Sequence, residues 1–182
     1  MGDLDEKTIS SRNIYDGKII KVRLDKVLLR DGKESYREIV EMTSKGAVAI
    51  VPLVDDKVYF VKQYRKSLGK ALLEIPAGRV DAGEEPADSA RRELTEEIGF
   101  WPNELQQIAF FYSSPGFSDE VIYLYLARDL VKHEADRDEG EYLEIQSFPL
   151  SEALKMILSG EIEDGKTITG LLLASYFLSN IK

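Results

Sequence analysis

GRVDAGEEPADSARRELTEEIGF, residues 78–100, carries the densest local signal in the chain. Pro86 suits the first turn of a helix, where its missing N–H is one of the unpaired donors. From Pro86 to Ile98, the apolar residues Ala87, Ala90, Leu94 and Ile98 recur at helical spacing and predict one buried stripe. Glu93, Glu96 and Glu97 stand at i, i+3 and i+4, so they share a different face. Gly99 fits the position just past a helix C-terminus. A solvated acidic face is the plain reading of such a cluster. Local helix stability does not favour it, because the glutamates fall near the negative end of the helix dipole.

Gly78, Glu84, Arg92, Glu93, Leu94, Glu96, Glu97, Gly99 and Phe100 also stand in a fixed register. That register resembles the Nudix box, G-x5-E-x7-R-E-U-x-E-E-x-G-U with U apolar, and Phe100 stands in for the more usual aliphatic. The resemblance implies a metal-dependent hydrolase that splits a diphosphate joined to another group. Carboxylates alone would repel such a substrate. Two unit negative charges about 5 Å apart repel by roughly 3 kcal/mol at an effective dielectric of about 20. Divalent cations between them reverse the sign. All-oxygen ligands suit Mg²⁺ or Mn²⁺. The chain has no Cys and only His133, which argues against a thiolate or multi-histidine zinc site.

A chain of 182 residues with 43% hydrophobic and 31% charged residues reads as a soluble globular protein with one main core and a small accessory unit. Its net charge of −9 argues against nucleic acid as the main partner, which needs a basic surface. No apolar run approaches the roughly 18 residues of a membrane helix. With a polar N-terminus, the expectation is a cytoplasmic protein without a membrane partner.

Outward from residues 78–100, the pattern is rich in strands. Residues 8–42 read as a small antiparallel unit, with Asp31-Gly32 as a hairpin turn. GAVAIVPLV and VYFVKQYR are strands separated by Asp55-Asp56-Lys57. LQQIAFFY and DEVIYLYLA follow the helix, with the turn cluster SSPGFS between them. Residues 133–141 form an acidic loop, and residues 142–148 another strand. Ser151 is expected to cap a helix reaching about Leu158. Residues 166–178 read as a last helix with Ile168, Leu171, Leu172 and Tyr176 on one face. The fold class is therefore α+β. The resemblance implies the Nudix fold, a mixed β-sheet sandwiched between helices. The expected division is an N-terminal β unit at 1–44 and a hydrolase domain at 45–182.

Gln63-Tyr64-Arg65, then Glu74-Ile75-Pro76-Ala77-Gly78, then Pro115 in Ser-Ser-Pro-Gly, then Gly165-Lys166-Thr167 occur in order. Together they are similar to the ADP-ribose pyrophosphatase subfamily, over roughly residues 37–178. Carried over by position, the resemblance implies these roles. Glu93 and Glu97 bind metal, Glu96 shares an ion, and the carbonyl of Ala77 is a further ligand. Arg92 orients the glutamates, with Glu84 either an outer ligand or a partner of Arg92. Arg65 and Arg79 contact phosphate or ribose, suited by the forked guanidinium. Glu74 binds substrate near the adenine or ribose. Glu141, with Glu139 second, is the general base. Tyr64 and Phe110 to Tyr112 read as core or sheet residues rather than stacking platforms.

The subfamily often reads R-E-x-V-x-H-P-G before the first core strand. Here Arg37 and Glu38 match, but the His and Pro are missing. The family also uses this unit to build a swapped homodimer, which makes Arg37 a candidate contact to the partner's site. The leading expectation is hydrolysis of ADP-ribose to AMP and ribose 5-phosphate. A close alternative is another nucleotide sugar such as GDP-mannose. A different class is a nucleotide-sensing module without chemistry, which would be free to lose Glu93, Glu96 or Glu97. All three are present.

Overall fold

The computed structural model describes residues 5–134 and 142–180. Three strands, β1 (Lys7–Asp16), β2 (Ile20–Leu28) and β3 (Glu34–Met42), form an antiparallel sheet in the order β1-β2-β3. The β2–β3 turn falls where Asp31-Gly32 predicts it. The Leu29 N–H donates to the Lys33 carbonyl at 2.8 Å, and Gly32 adopts φ 81°, which favours glycine. Every residue of β1 is exposed, so this strand gains little burial from its own chain.

β4 (Ala47–Val54) and β5 (Lys57–Arg65) follow as a hairpin in which Val54 pairs with Lys57. Asp55, at φ 55°, takes the left-handed position that Asp tolerates better than most residues. Next come β6 (Lys70–Glu74), β7 (Ala77–Arg79), α1 (Pro86–Ile98), β8 (Phe100–Tyr112), β9 (Val121–Lys132), β10 (Glu144–Pro149), α2 (Leu150–Ser159) and α3 (Gly165–Asn180). The second sheet has the order β10-β5-β4-β9-β8, with β6 joined to β5 and β7 to β4. The parallel pairing of β4 with β9 makes it mixed. Pro102 lies in β8 at the edge of the sheet, where a missing N–H is tolerated.

The alternation of β4 builds two cores. Val48 and Ile50 face Ala90, Leu94 and Ile98 of α1. Ala49, Val51 and Leu53 face Ala153 and Met156 of α2 and Leu171 and Ala174 of α3. The mixed sheet is therefore sandwiched between helices, as expected. Among the described residues no helix is long and apolar enough to cross a membrane.

Two local expectations are corrected. Pro149, not Ser151, is the residue preceding α2, and Ser151 lies within the helix. Pro149 fixes the chain's entry by its ring, so no side-chain cap is used. The buried face of α3 carries Thr167, Gly170, Leu171 and Ala174, while Leu172 and Tyr176 are exposed. Gly170 sets that face. A Cβ there would stand 2.9 Å from Val51 and 3.0 Å from Ile75, so the helix lies very close to the sheet.

Candidate active site

α1 starts at Pro86 and ends where Gly99 turns left-handed at φ 71°, its N–H donating to the Thr95 carbonyl. Ala90, Leu94 and Ile98 are buried on the sheet, so the rotation of the helix is fixed. That rotation brings Arg92 into the middle of the acidic groups. Its guanidinium donates to both oxygens of Glu84 at 3.2 Å, to Glu93 Oε1 at 2.8 Å and to Glu96 Oε2 at 3.0 Å. It also donates to the Arg79 carbonyl at 3.2 Å, which ties α1 to β7. Burial alone would lower the Arg92 guanidinium. Hydrogen bonds to Glu84 and the charge of Glu93 outweigh it and hold the group above its ordinary value. Glu84 is thus a partner of Arg92. It also accepts from Ser89 Oγ at 2.6 Å, and these two donors, Arg92 first, hold its carboxyl below the usual range.

Glu93 and Glu97 reach toward β7. A Cβ added to Gly78 would stand 1.9 Å from Glu93 Cδ and 2.0 Å from its Oε1. The box glycine therefore leaves the space that the Glu93 carboxylate fills. Glu97 is 4% exposed, and its Oε2 accepts the Ala77 N–H at 3.1 Å. Ala77, Gly78, Glu93 and Glu97 are brought together at one edge.

The same edge opens into a cleft of about 800 Å³. Arg65, Glu74, Ala77, Arg79 and Lys166 line it. Arg65 grips Glu74 with two parallel bonds, Nε to Oε1 at 2.7 Å and Nη2 to Oε2 at 2.6 Å. Lys166 Nζ also donates to Glu74 Oε2. Glu74 is only 1% exposed. Burial pushes its carboxyl up, but the Arg65 and Lys166 cations outweigh this and hold it below its ordinary value. Arg37 is not in this cleft. It lies on β3, paired with Glu6 and donating to Ser35 Oγ at 3.1 Å.

Lys166 and Asp164 also line the cleft, and the motif reading gives neither a role. The sequence signal for Lys166 is the Gly165-Lys166-Thr167 stretch before an apolar helix, and Asp164 immediately precedes it. Tyr64, Phe110 and Tyr112 are sheet residues as expected, but they are exposed rather than core. Tyr112 also lines the cleft, beside Ser113 and Glu120, whose side chains bond at 2.5 Å. Glu139 and Glu141, the expected bases, lie outside the described residues.

Among the described residues, no three acidic or histidine side chains converge as a ready-made metal cage. Oxygens of Glu84, Glu93 and Glu96 converge on Arg92 instead. The donor set still fits a hard divalent ion. It is all oxygen, and such an ion needs only one or two carboxylates when substrate phosphates and water complete its shell.

Residues 43–170 match the NUDIX domain, and residues 6–40 match the nucleoside diphosphate sugar hydrolase N-terminal domain. The chain is 43% identical over 170 residues to the ADP-ribose pyrophosphatase of Bacillus subtilis (strain 168), covering 92% of this chain and 91% of that protein. It is 42% identical over 172 residues to the methanol dehydrogenase activator of Bacillus methanolicus, covering 92% of each. A crystal structure of an ADP compounds hydrolase superposes with a TM-score of 0.89 at 23% identity, covering 98% of this chain and 97% of that one, which supports the fold. The family match spans most of the chain and includes the helix, the glycine and the carboxylates described above, so the chain belongs to the Nudix family of hydrolases.

Proposed function

We propose that the protein hydrolyses the diphosphate of ADP-ribose, giving AMP and ribose 5-phosphate. One observation carries the reading. A single cleft joins the Ala77–Gly78 edge, against which Glu93 and Glu97 pack, to a wall bearing Arg65, Arg79 and Lys166. Carboxylates on one side and guanidinium groups on the other suit a diphosphate. The high identity to a pyrophosphatase acting on ADP-ribose supports the substrate.

Nudix hydrolases generally depend on divalent metal ions. Here Glu93, Glu96, Glu97 and the Ala77 carbonyl would hold Mg²⁺, with Mn²⁺ as a substitute. When bound, the ion supplies polarisation of a phosphoryl oxygen and lowers the pKa of the attacking water. Arg92 gathers Glu84, Glu93 and Glu96 around one guanidinium, offsets their mutual repulsion and keeps Glu93 and Glu96 aimed. Arg65 and Arg79 bind the phosphates, and Glu74 holds Arg65 in place. Glu141, or Glu139 after it, takes the proton of the water as its oxygen bonds to phosphorus and the bridging P–O bond breaks. The N-terminal unit at 1–44 pairs two copies into a homodimer in the cytoplasm, where Arg37 reaches the partner's site. The exposed β1 and the match of residues 6–40 support that part.

The test is Mg²⁺-dependent turnover of ADP-ribose, ADP-glucose, GDP-mannose and NADH, with products identified. Selective release of AMP and ribose 5-phosphate from ADP-ribose is expected. Preference for GDP-mannose keeps the chemistry and overturns the substrate. Binding without turnover of any of them points to a sensor.

A further inference from the structure

The chain of ion pairs that begins at Arg65 does not stop at Glu74. Glu74 Oε2 is shared by Arg65 Nη2 and Lys166 Nζ, and Lys166 also pairs with Asp164 Oδ2 at 3.0 Å. Asp164 caps α3, accepting from the Thr167 N–H at 2.9 Å and from Thr167 Oγ1 at 2.6 Å. Thr167 Oγ1 in turn accepts the Ile75 N–H at 2.9 Å, immediately after Glu74. A route of polar contacts thus runs from the first turn of α3 to the guanidinium in the cleft.

Two contacts already secure α3 without Lys166. Thr167 is buried and bound to Ile75, and Gly170 lets the helix close on the sheet. That docking rests on contacts in which the Lys166 ammonium takes no part. Its side chain is 14% exposed, and both of its ionic partners belong to this route. A buried carboxylate facing a single forked guanidinium can follow it as it swings. A second cation from a different element pins that carboxylate, and the fork then fixes the plane of the guanidinium.

We infer that Lys166 is a positioning residue for the diphosphate site: by sharing the Glu74 carboxylate it fixes the Arg65 guanidinium that meets the substrate. This rests on the reading of the cleft as a diphosphate hydrolase site. Lys166 acts through Glu74 and Arg65, and its effect falls on substrate binding more than on the chemical step.

The experiment compares Lys166→Met, Lys166→Gln, Lys166→Arg, Arg65→Lys and the Lys166→Met/Arg65→Lys double variant in the full chain. Steady-state kinetics on ADP-ribose and calorimetric binding of ADP are measured for each, with melting temperature as the folding control. Lys166→Met is expected to raise KM and weaken ADP binding about tenfold, the effect of one charge-assisted hydrogen bond. The fall in kcat should be smaller, and Lys166→Arg should recover most of the loss. The double variant should be no weaker than Arg65→Lys alone. Unchanged KM and ADP binding in Lys166→Met overturns the inference, as do effects of the two substitutions that add. If Lys166→Met does not fold, Lys166→Gln carries the same comparison. Wild-type protein that binds ADP but turns over no diphosphate overturns the functional reading, while ADP binding still decides the role of Lys166. Wild-type protein that does not bind ADP overturns both.

Discussion

Gly78→Ala places one methyl group where the Glu93 carboxylate now lies. The added Cβ would stand 1.9 Å from Glu93 Cδ and 2.0 Å from Oε1. Non-bonded carbon atoms prefer about 3.5 Å or more, so the carboxylate must retreat by about 1.5 Å. That retreat breaks its 2.8 Å bond to Arg92 and takes it from the edge beside Ala77. A misplacement of about 1 Å can cost roughly a hundredfold in rate, or about 2.7 kcal/mol. The fold should survive, because the clash is with the far end of a flexible side chain. Gly78 also has no left-handed backbone to protect, since the positive-φ glycines lie elsewhere. The assay is AMP release from ADP-ribose across a Mg²⁺ titration, with calorimetric melting as the control. A loss of about a hundredfold or more in kcat/KM is expected, with a raised Mg²⁺ requirement and a melting temperature within about 5 °C of wild type. Wild-type activity in a folded Gly78→Ala protein would refute the role given to Glu93.

Glu97→Gln keeps the acceptor for the Ala77 N–H but removes the charge, so turnover should fall about a thousandfold while the melting temperature holds; full activity would remove Glu97 from the metal set. Glu141→Gln should lower kcat by about a hundredfold or more with the Mg²⁺ half-saturation unmoved, and a normal kcat would pass the base role to Glu139. Glu74→Gln should destabilise the protein by about 2 kcal/mol at neutral pH, a buried-pair loss reduced because Arg65 is partly exposed. Glu74 has its folded pKa lowered from 4.5, by cations that outweigh burial, so its stabilisation is present above 4.5 and is lost as pH falls through the lowered value. The gap in melting temperature between wild type and Glu74→Gln should therefore shrink in acid; a gap that stays constant or widens below pH 4.5 would contradict the ion-pair account.

Much of the fold was legible because its signals are local. The stripe of Ala90, Leu94 and Ile98, with Pro86 at one end and Gly99 at the other, gave α1 its ends and its buried face from neighbouring residues alone. Asp31-Gly32 marks the turn of one hairpin, and Asp55-Asp56-Lys57 marks the break between two strands that the structure pairs as another. α3 was harder. Its run of Leu171, Leu172 and Leu173 is apolar all round, and the close approach at Gly170 decides which side faces the sheet. In the site, the carboxylates and Arg92 share one helix, so their register could be read directly. Arg65, Glu74 and Lys166 come from β5, β6 and α3, and their meeting depends on how those elements pack. Tyr112 reads as a sheet residue from its apolar neighbours, and its place on the cleft wall appears only when β8 is set beside β9.

In the proposed site, Glu93, Glu97 and the Ala77 carbonyl form one metal-bearing edge of a diphosphate cleft. Anomalous diffraction from crystals grown with Mn²⁺ and a non-hydrolysable ADP-ribose analogue tests it directly. The expected result is an anomalous peak at that edge, with the diphosphate of the analogue between it and Arg65. A peak confined to other residues, or a diphosphate lying outside this cleft, would rule out this arrangement.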